Sequence, residues 1–401
     1  MDLTGGYPYW LIKDGLPYDY PALEKNEQAE VIILGGGISG ALSAYFLTTE
    51  GIDCILLDSR TIGLGSTCAS TALLQYELDQ TLCELSDRVG KETASRVYRL
   101  SSHAIDKLVK IMDKISFRDY DKSPSLYFAA RKKHVHLLKR EFAERSNLGF
   151  KMEWLSEENI KQDYGFSAPA AILSEQGASV NVYALTHALL QRAIKKGLRV
   201  YDRTKVVVNP DYSGSGIEVR TEKRNTIRAK ILVNASGFEA VNMIGKKIAD
   251  LYSTYAVAGE QMSSEKKLWK DNAIIWNTDD PYLYVRRTRD NRIMVGGRDE
   301  PFNNPRLRDR LIERKTKLLA EDVKNLFPDS GFVPEFSWAG TFAITKDSMP
   351  YIGMHKKFPH TFFALGFGGN GITFSVIAAG LLVDLVKGRK NEDAELFSFE
   401  R

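Results

Sequence analysis

The chain has 401 residues, 43 % of them hydrophobic and 26 % charged, with a formal net charge of +4; this is the composition of an ordinary folded protein and excludes a disordered or fibrous class. The length predicts two domains or an interleaved pair, because single cores stop growing well below this size. The positive charge is scattered, and its densest run, RKKHVHLLKR at 131–140, reads as one solvated helix face rather than a nucleic-acid surface.

The first thirty residues are rich in aromatics and prolines (YPYWLIKDGLPYDYPAL), which predicts an extended arm lying on a later domain. No basic segment followed by an apolar one opens the chain, so a cleaved secretory signal is not expected. Residues 30–34 read as a buried strand, 38–50 as a helix and CILLD at 54–58 as a second buried strand, which together make a βαβ unit. From about 80 to 145 the pattern is helical. The middle section alternates again: a helix at 182–197, a strand LRVYDRTKVVVNP at 198–210, a Gly/Ser turn at 212–216, then strands IEVRT and AKILVNASG. Strands are expected between 251 and 300, including PYLYVRRT and RIMVGG, and a charged helix at 305–327. The apolar run ITFSVIAAGLLVDLV at 372–386 reads as too short to span a bilayer and carries Asp384. Cys54, Cys68 and Cys83 form no CxxC pair, so neither a disulfide framework nor a zinc site is expected, and a soluble cytoplasmic protein fits. His103, His134, His136 and His187 have no ligand spacing either, and no metal is expected.

The chemistry starts in VIILGGGISG. Gly35, Gly37 and Gly40 form G-x-G-x-x-G after a strand and at the opening of a helix, as a tight turn, a close backbone approach to a pyrophosphate and close helix–strand packing require. The helix start at Ile38 and Ser39 offers free N–H groups to the phosphates. Asp58, 18 residues after Gly40 and followed by Ser59 and Arg60, ends the second strand and can accept from a ribose diol. The motif alone does not separate a nicotinamide cofactor from FAD. The next segment favours FAD: GLGSTCASTALLQ, with Gly65, Ser66, Thr67, Ala69, Ser70 and Thr71, is a close-approach loop where a nicotinamide dehydrogenase would continue with regular βα units. Two distant segments share its small-residue character. One is LVNASG, ending in Ala235, Ser236 and Gly237; the other is ALGFGGNGI, with Gly366, Gly368, Gly369, Asn370, Gly371 and Ile372 ahead of a long apolar helix. A helix start there would stabilise the negative charge of a reduced flavin.

The order VIILGGGISG, GSTCAS, ILVNASG, YLYVRRTRDNRIMVGG, WAGTFAITKDSMPYIG and FFALGFGGNGI resembles the D-amino acid oxidase superfamily of FAD-dependent oxidoreductases from about 28 to 390, and within it the gamma-glutamylputrescine oxidase and glycine oxidase branch. The resemblance implies a mixed α/β fold: a Rossmann-like FAD-binding domain interleaved with a substrate domain on a mixed, mainly antiparallel sheet. It implies an arm at 1–27, an FAD domain from 28–80, 175–248 and 336–392, a substrate domain from 81–174 and 249–335, and cofactor contacts also at Val206 and Gly340. The reaction it implies is oxidation of a C–N bond by hydride transfer to flavin, with the imine hydrolysed afterwards and oxygen or another acceptor taking the electrons. Other expectations stay open: a flavoprotein without turnover, or a modifying enzyme of thiamin or tRNA.

Two arginines that clamp a substrate carboxylate in relatives fall on Phe342 and Gly369 here, which disfavours a small α-amino acid and favours an amine. A lysine that promotes reaction with oxygen in sarcosine oxidases falls on Met294, and their flavin-linking cysteine is missing near WAGTF, so FAD is expected to be non-covalent. As replacement anchors the strand YLYVRR offers Tyr284 and Arg286 on one face, and Phe342 and Met294 are expected beside the substrate with them. No side-chain base is required, and no catalytic residue is assigned.

Overall fold

The computed structural model describes residues 2–211, 216–244, 248–263 and 268–401. Its first layer is a six-stranded sheet with the order Arg199–Tyr201, Cys54–Leu57, Val31–Leu34, Ile231–Asn234, Phe358–Leu365, Tyr351–His355. The first five strands run parallel and the last turns back on Phe358–Leu365. Val31, Ile32 and Ile33 are wholly buried, as a strand covered on both faces requires. The helix Ile38–Thr49 lies on this sheet, and Gly371–Val386 and Val182–Ile194 pack beside it in one continuous core.

The second layer is a nine-stranded sheet: Thr4–Gly6, Pro334–Thr345, Ala249–Gly259, Ile293–Glu300, Tyr284–Arg287, Ile274–Asn277, Ser125–Phe128, Ala170–Ser174, Met152–Ser156. Its pairs are antiparallel except Ile274–Asn277 with Ser125–Phe128. The helix Pro305–Leu326, capped by the Asn304 side chain, covers one face with Leu319 and Val323. A mixed α/β fold with a mainly antiparallel second sheet is therefore what the chain forms.

Several expectations are corrected. The arm is not extended throughout: Thr4–Gly6 pairs with residues 338–340 and Tyr9–Asp14 is a short helix, because Tyr9 and Trp10 find an apolar site among Met294, Trp338 and Tyr183. Residues 198–210 form two strands in different sheets. The chain turns at Arg203, whose φ is +47°, and the Thr204 N–H goes to the Asp58 carbonyl instead of continuing a ladder. Short strands at Tyr120–Lys122 and Ser125–Phe128 interrupt the expected helical stretch. The expected domain division at 336 falls inside the strand Pro334–Thr345. The predicted turn at 212–216 lies, apart from Gly216, outside the described residues. The apolar run near the C-terminus, with its lead-in, reaches 19 residues (Gly368–Val386), long and apolar enough to cross a membrane, and corrects the shorter reading; most of it is buried against the helix Ile38–Thr49.

Candidate active site

A cavity of about 1060 Å³ runs between the two sheets, at the upper end of the range for small-molecule and cofactor sites. At one end it is built by the glycine turn. Gly35 has φ +107°, and a Cβ there would collide with the Ala235 carbonyl. A Cβ on Gly40 would strike the Gly35 carbonyl oxygen, so the helix sits on its strand only because position 40 has no side chain. The Ile38 N–H, expected to be free for a phosphate, donates instead to Thr67 Oγ1 at 3.0 Å, which ties the helix start to the Gly65–Thr71 loop. Asp58 accepts from the Gly36 N–H at 2.7 Å and the Arg60 N–H at 2.8 Å. Burial raises its carboxyl above the ordinary value, while these N–H groups and the Arg60 charge pull the other way. Arg60 forks onto both oxygens of Glu239 at 3.2 and 3.1 Å.

The structure brings the expected cofactor residues to this cavity. Gly35, Gly37 to Ser39, Asp58 to Arg60, Gly65 to Thr67, Ala69 to Thr71, Val206, Ala235 to Gly237, Gly340, Gly366 and Gly368 to Ile372 line it. Gly40 stands behind it, where it lets the helix pack on its strand. Asn370 donates to the Glu77 carbonyl at 2.8 Å and fixes the start of the helix Gly371–Val386 at the cavity wall. None of the three cysteines lines the cavity. Cys68 turns away, its thiol directed to the Gly65 carbonyl at 3.3 Å and pushed up to about 11 by burial.

At the other end two of the expected substrate residues are present and two are not. Tyr284 and Phe342 line the cavity; Arg286 and Met294 do not. Alternation does put Arg286 on the same strand face as Tyr284, but there the face is covered. One Arg286 Nη donates to the carbonyls of Thr71 and Ala72 at 2.9 Å each and of Val180 at 3.1 Å, and the guanidinium lies 5.5 Å from the Trp10 ring centroid. Burial pushes it down to about 10, so it stays charged at neutral pH. Met294, opposite Arg286 in the sheet, is sealed under Tyr9, Trp10 and Trp338. Arg286 and Met294 are corrected from substrate contacts to supports beneath the cofactor loop.

Two carboxylates that sequence reasoning missed face the same end: Asp79 and Asp299. Asp79 accepts from the Gly369 N–H at 2.8 Å and from the Tyr282 hydroxyl at 3.0 Å. Trp276, Tyr282 and Tyr284 form an aromatic wall beside them, with ring centroids 6.2 and 5.7 Å apart in turn. Among the described residues the cations on the cavity lining are Arg60 and Lys205, both at the Asp58 end.

A family model described as FAD dependent oxidoreductase (DAO) matches residues 30–385. The chain belongs to the DAO family of FAD-dependent oxidoreductases. Among curated relatives, a protein of Bacillus subtilis (strain 168) named for a Rieske 2Fe-2S iron-sulfur function, YhfW, is 25 % identical over 398 residues, 98 % of this chain and 75 % of that one. Gamma-glutamylputrescine oxidoreductase of Escherichia coli (strain K12) is 24 % identical over 399 residues, covering 95 % and 87 % of the two chains. The glycine oxidase structure from Geobacillus kaustophilus superimposes with a TM-score of 0.79 at 19 % identity, over 94 % of this chain and 99 % of that one; at that identity the likeness speaks for the DAO fold. FAD is the family's cofactor. The residues fit it: the turn at Gly35 leaves no room for a side chain, and Asp58 stands at the strand end where a ribose would lie.

Proposed function

We propose that this DAO-family enzyme oxidises the C–N bond of an amine that carries no α-carboxylate, with FAD held non-covalently. The observation that carries the reading is the charge at the substrate end. Among the described residues no cation lines the cavity beside Phe342 and Gly369, and the carboxylates Asp79 and Asp299 face the same end. A carboxylate ligand placed among them would lose its solvation and gain only repulsion. When bound, FAD supplies a two-electron acceptor for hydride.

The chain's own residues place the amine. Trp276, Tyr284 and Phe342 exclude water from the carbon that gives hydride. As the hydride leaves, the lone pair of the neutral amine closes a C=N bond; water then adds to the iminium and releases a carbonyl compound and an ammonium ion. Arg286 keeps the Gly65–Thr71 loop against the cofactor through the carbonyls of Thr71 and Ala72. The buried, unpaired cysteines suit a reducing compartment.

The test is anaerobic titration of the purified yellow protein. Alkyl amines are expected to bleach the flavin band, and glycine and D-alanine to leave it unchanged. Bleaching by the amino acids alone would overturn the reading, as would a flavin inert to the whole panel. Readmitting air after bleaching identifies oxygen as the acceptor if the band returns.

A further inference from the structure

Among the described residues no cation is hydrogen-bonded or ion-paired to the two acids at the substrate end. Asp79 is held by two neutral donors, the Gly369 N–H and the Tyr282 hydroxyl. Asp299 Oδ1 is buried without any hydrogen-bond partner. Lys315, which acts on Asp299 through its charge, gives its ammonium to the Arg298 carbonyl at 2.7 Å and to Glu300 at 2.6 Å. Two carboxylates on one cavity wall repel each other and lose solvation, a cost that a bound cation offsets.

The backbone is shaped around this pair. A Cβ on Gly369 would run into Asp79 Oδ1, so the missing side chain at 369 is what admits the acid. Position 369 is also where the sequence resemblance puts a carboxylate-clamping arginine; here the same space holds a carboxylate instead. Gly296, opposite Tyr284 in the sheet, likewise leaves room for the Tyr284 ring to lie flat across its strand. The result is an aromatic wall next to two acids, a surface suited to an ammonium group through both charge and ring faces.

We propose that Asp79 and Asp299, with Trp276, Tyr282 and Tyr284, form a subsite for a second cation, so that the preferred substrates are diamines or polyamines. One nitrogen reacts as the neutral amine while another remains an ammonium between the acids. This rests on the reading of the reaction as amine oxidation, but its test can be separated from that reading.

Two matched pairs of probes are used on the FAD-loaded protein. 1,6-Diaminohexane is expected to half-bleach the flavin at a concentration about tenfold or more below n-hexylamine. Hexyltrimethylammonium, whose quaternary nitrogen cannot be oxidised this way, is expected to raise the melting temperature and perturb the flavin band where the uncharged n-hexanol at equal concentration does not. In Asp79→Asn and in Asp299→Asn the ratio between members of each pair is expected to fall towards one. Equal responses to the members of both pairs in the unsubstituted protein would overturn the proposal, and so would ratios that survive both substitutions. If no amine bleaches the flavin, the reaction reading fails, while the hexyltrimethylammonium comparison still decides the subsite. Should a variant be recovered without FAD, the two probe pairs on the unsubstituted protein decide alone.

Discussion

Asp299 owes its state to its surroundings. Burial raises its carboxyl to about 7; the Thr254 hydrogen bond and Lys315 lower it, while Asp79 and Asp280 add to the rise. In the unfolded chain an aspartate titrates near about 4. The folded protein therefore holds more protons than the unfolded one between these values, and stability falls as pH rises from about 4 through about 7, levelling off above. The melting temperature of the protein is expected to decline across that window, and the decline to shrink in Asp299→Asn. Identical profiles for the two proteins would refute the assignment. Alternation along Ile293–Glu300 could not have found this residue. The pairing with Ala249–Gly259 slips between Gly297 and Glu300, where Gly297 and Arg298 have φ +136° and +59°, so a period of two loses count one residue before the acid. Tyr284, ahead of any such slip, was legible. Arg286 was placed on the correct face, yet what covers that face, Trp10 and the Thr71–Ala72 carbonyls, comes from segments more than 200 residues away in the chain.

Among the elements, the first βαβ unit was readable because its signals are local: continuous apolar strands at Val31–Leu34 and Cys54–Leu57, and glycines at the turn between strand and helix. The same locality makes it sensitive. In Gly40→Ala the new methyl meets the Gly35 carbonyl, a backbone group that cannot rotate aside, so the helix Ile38–Thr49 must lift from its strand. The expected cost is about 2 kcal/mol or more, with FAD bound at least tenfold more weakly, by order of magnitude for overpacking in a close-packed layer. Gly380→Ala is the contrasting case. It lies inside the helix Gly371–Val386, and its Cβ would meet nothing closer than the Lys107 ammonium at 3.7 Å. There the gain in helix propensity is expected to leave stability unchanged or raised by up to about 1 kcal/mol. Thermal melts with and without added FAD measure both; a Gly40→Ala protein as stable and as yellow as its parent would mean that the helix can shift freely. The strand at 198–210 shows where local signals fail. No glycine or proline marks a break near Arg203, and the N–H groups of Arg203 and Thr204 go to the distant carbonyls of Arg60 and Asp58 where the chain turns.

At the scale of the whole molecule, the N-terminal arm joins the two sheets. The aromatic and proline content indicated that it would lie on another part of the chain, and it reaches this chain's own cavity. Thr4–Gly6 extends the nine-stranded sheet, and Leu3 lines the cavity. Trp10 Nε1 donates to the Ser70 carbonyl at 2.7 Å, and the Tyr183 hydroxyl to the Gly15 carbonyl at 2.9 Å. The wholly buried Arg308 reaches Asp2 at 3.1 Å. Tyr9 and Trp10, each almost fully buried, contribute about 2–3 kcal/mol apiece by burial of apolar area. Without the arm, Arg286 loses the Trp10 ring, and Met294 and Trp338 meet water. The loop from Gly65 to Thr71 would then be held from one side only. A chain starting at residue 16 is therefore expected to melt well below the intact protein and to release flavin on gel filtration, with FAD affinity reduced on the order of tenfold or more. Because the Gly35 turn and Asp58 are untouched by the truncation, excess FAD should restore part of the lost melting temperature. A truncated protein that keeps its colour through gel filtration would show that the parallel-sheet half holds the cofactor unaided, and that the arm serves the nine-stranded sheet alone.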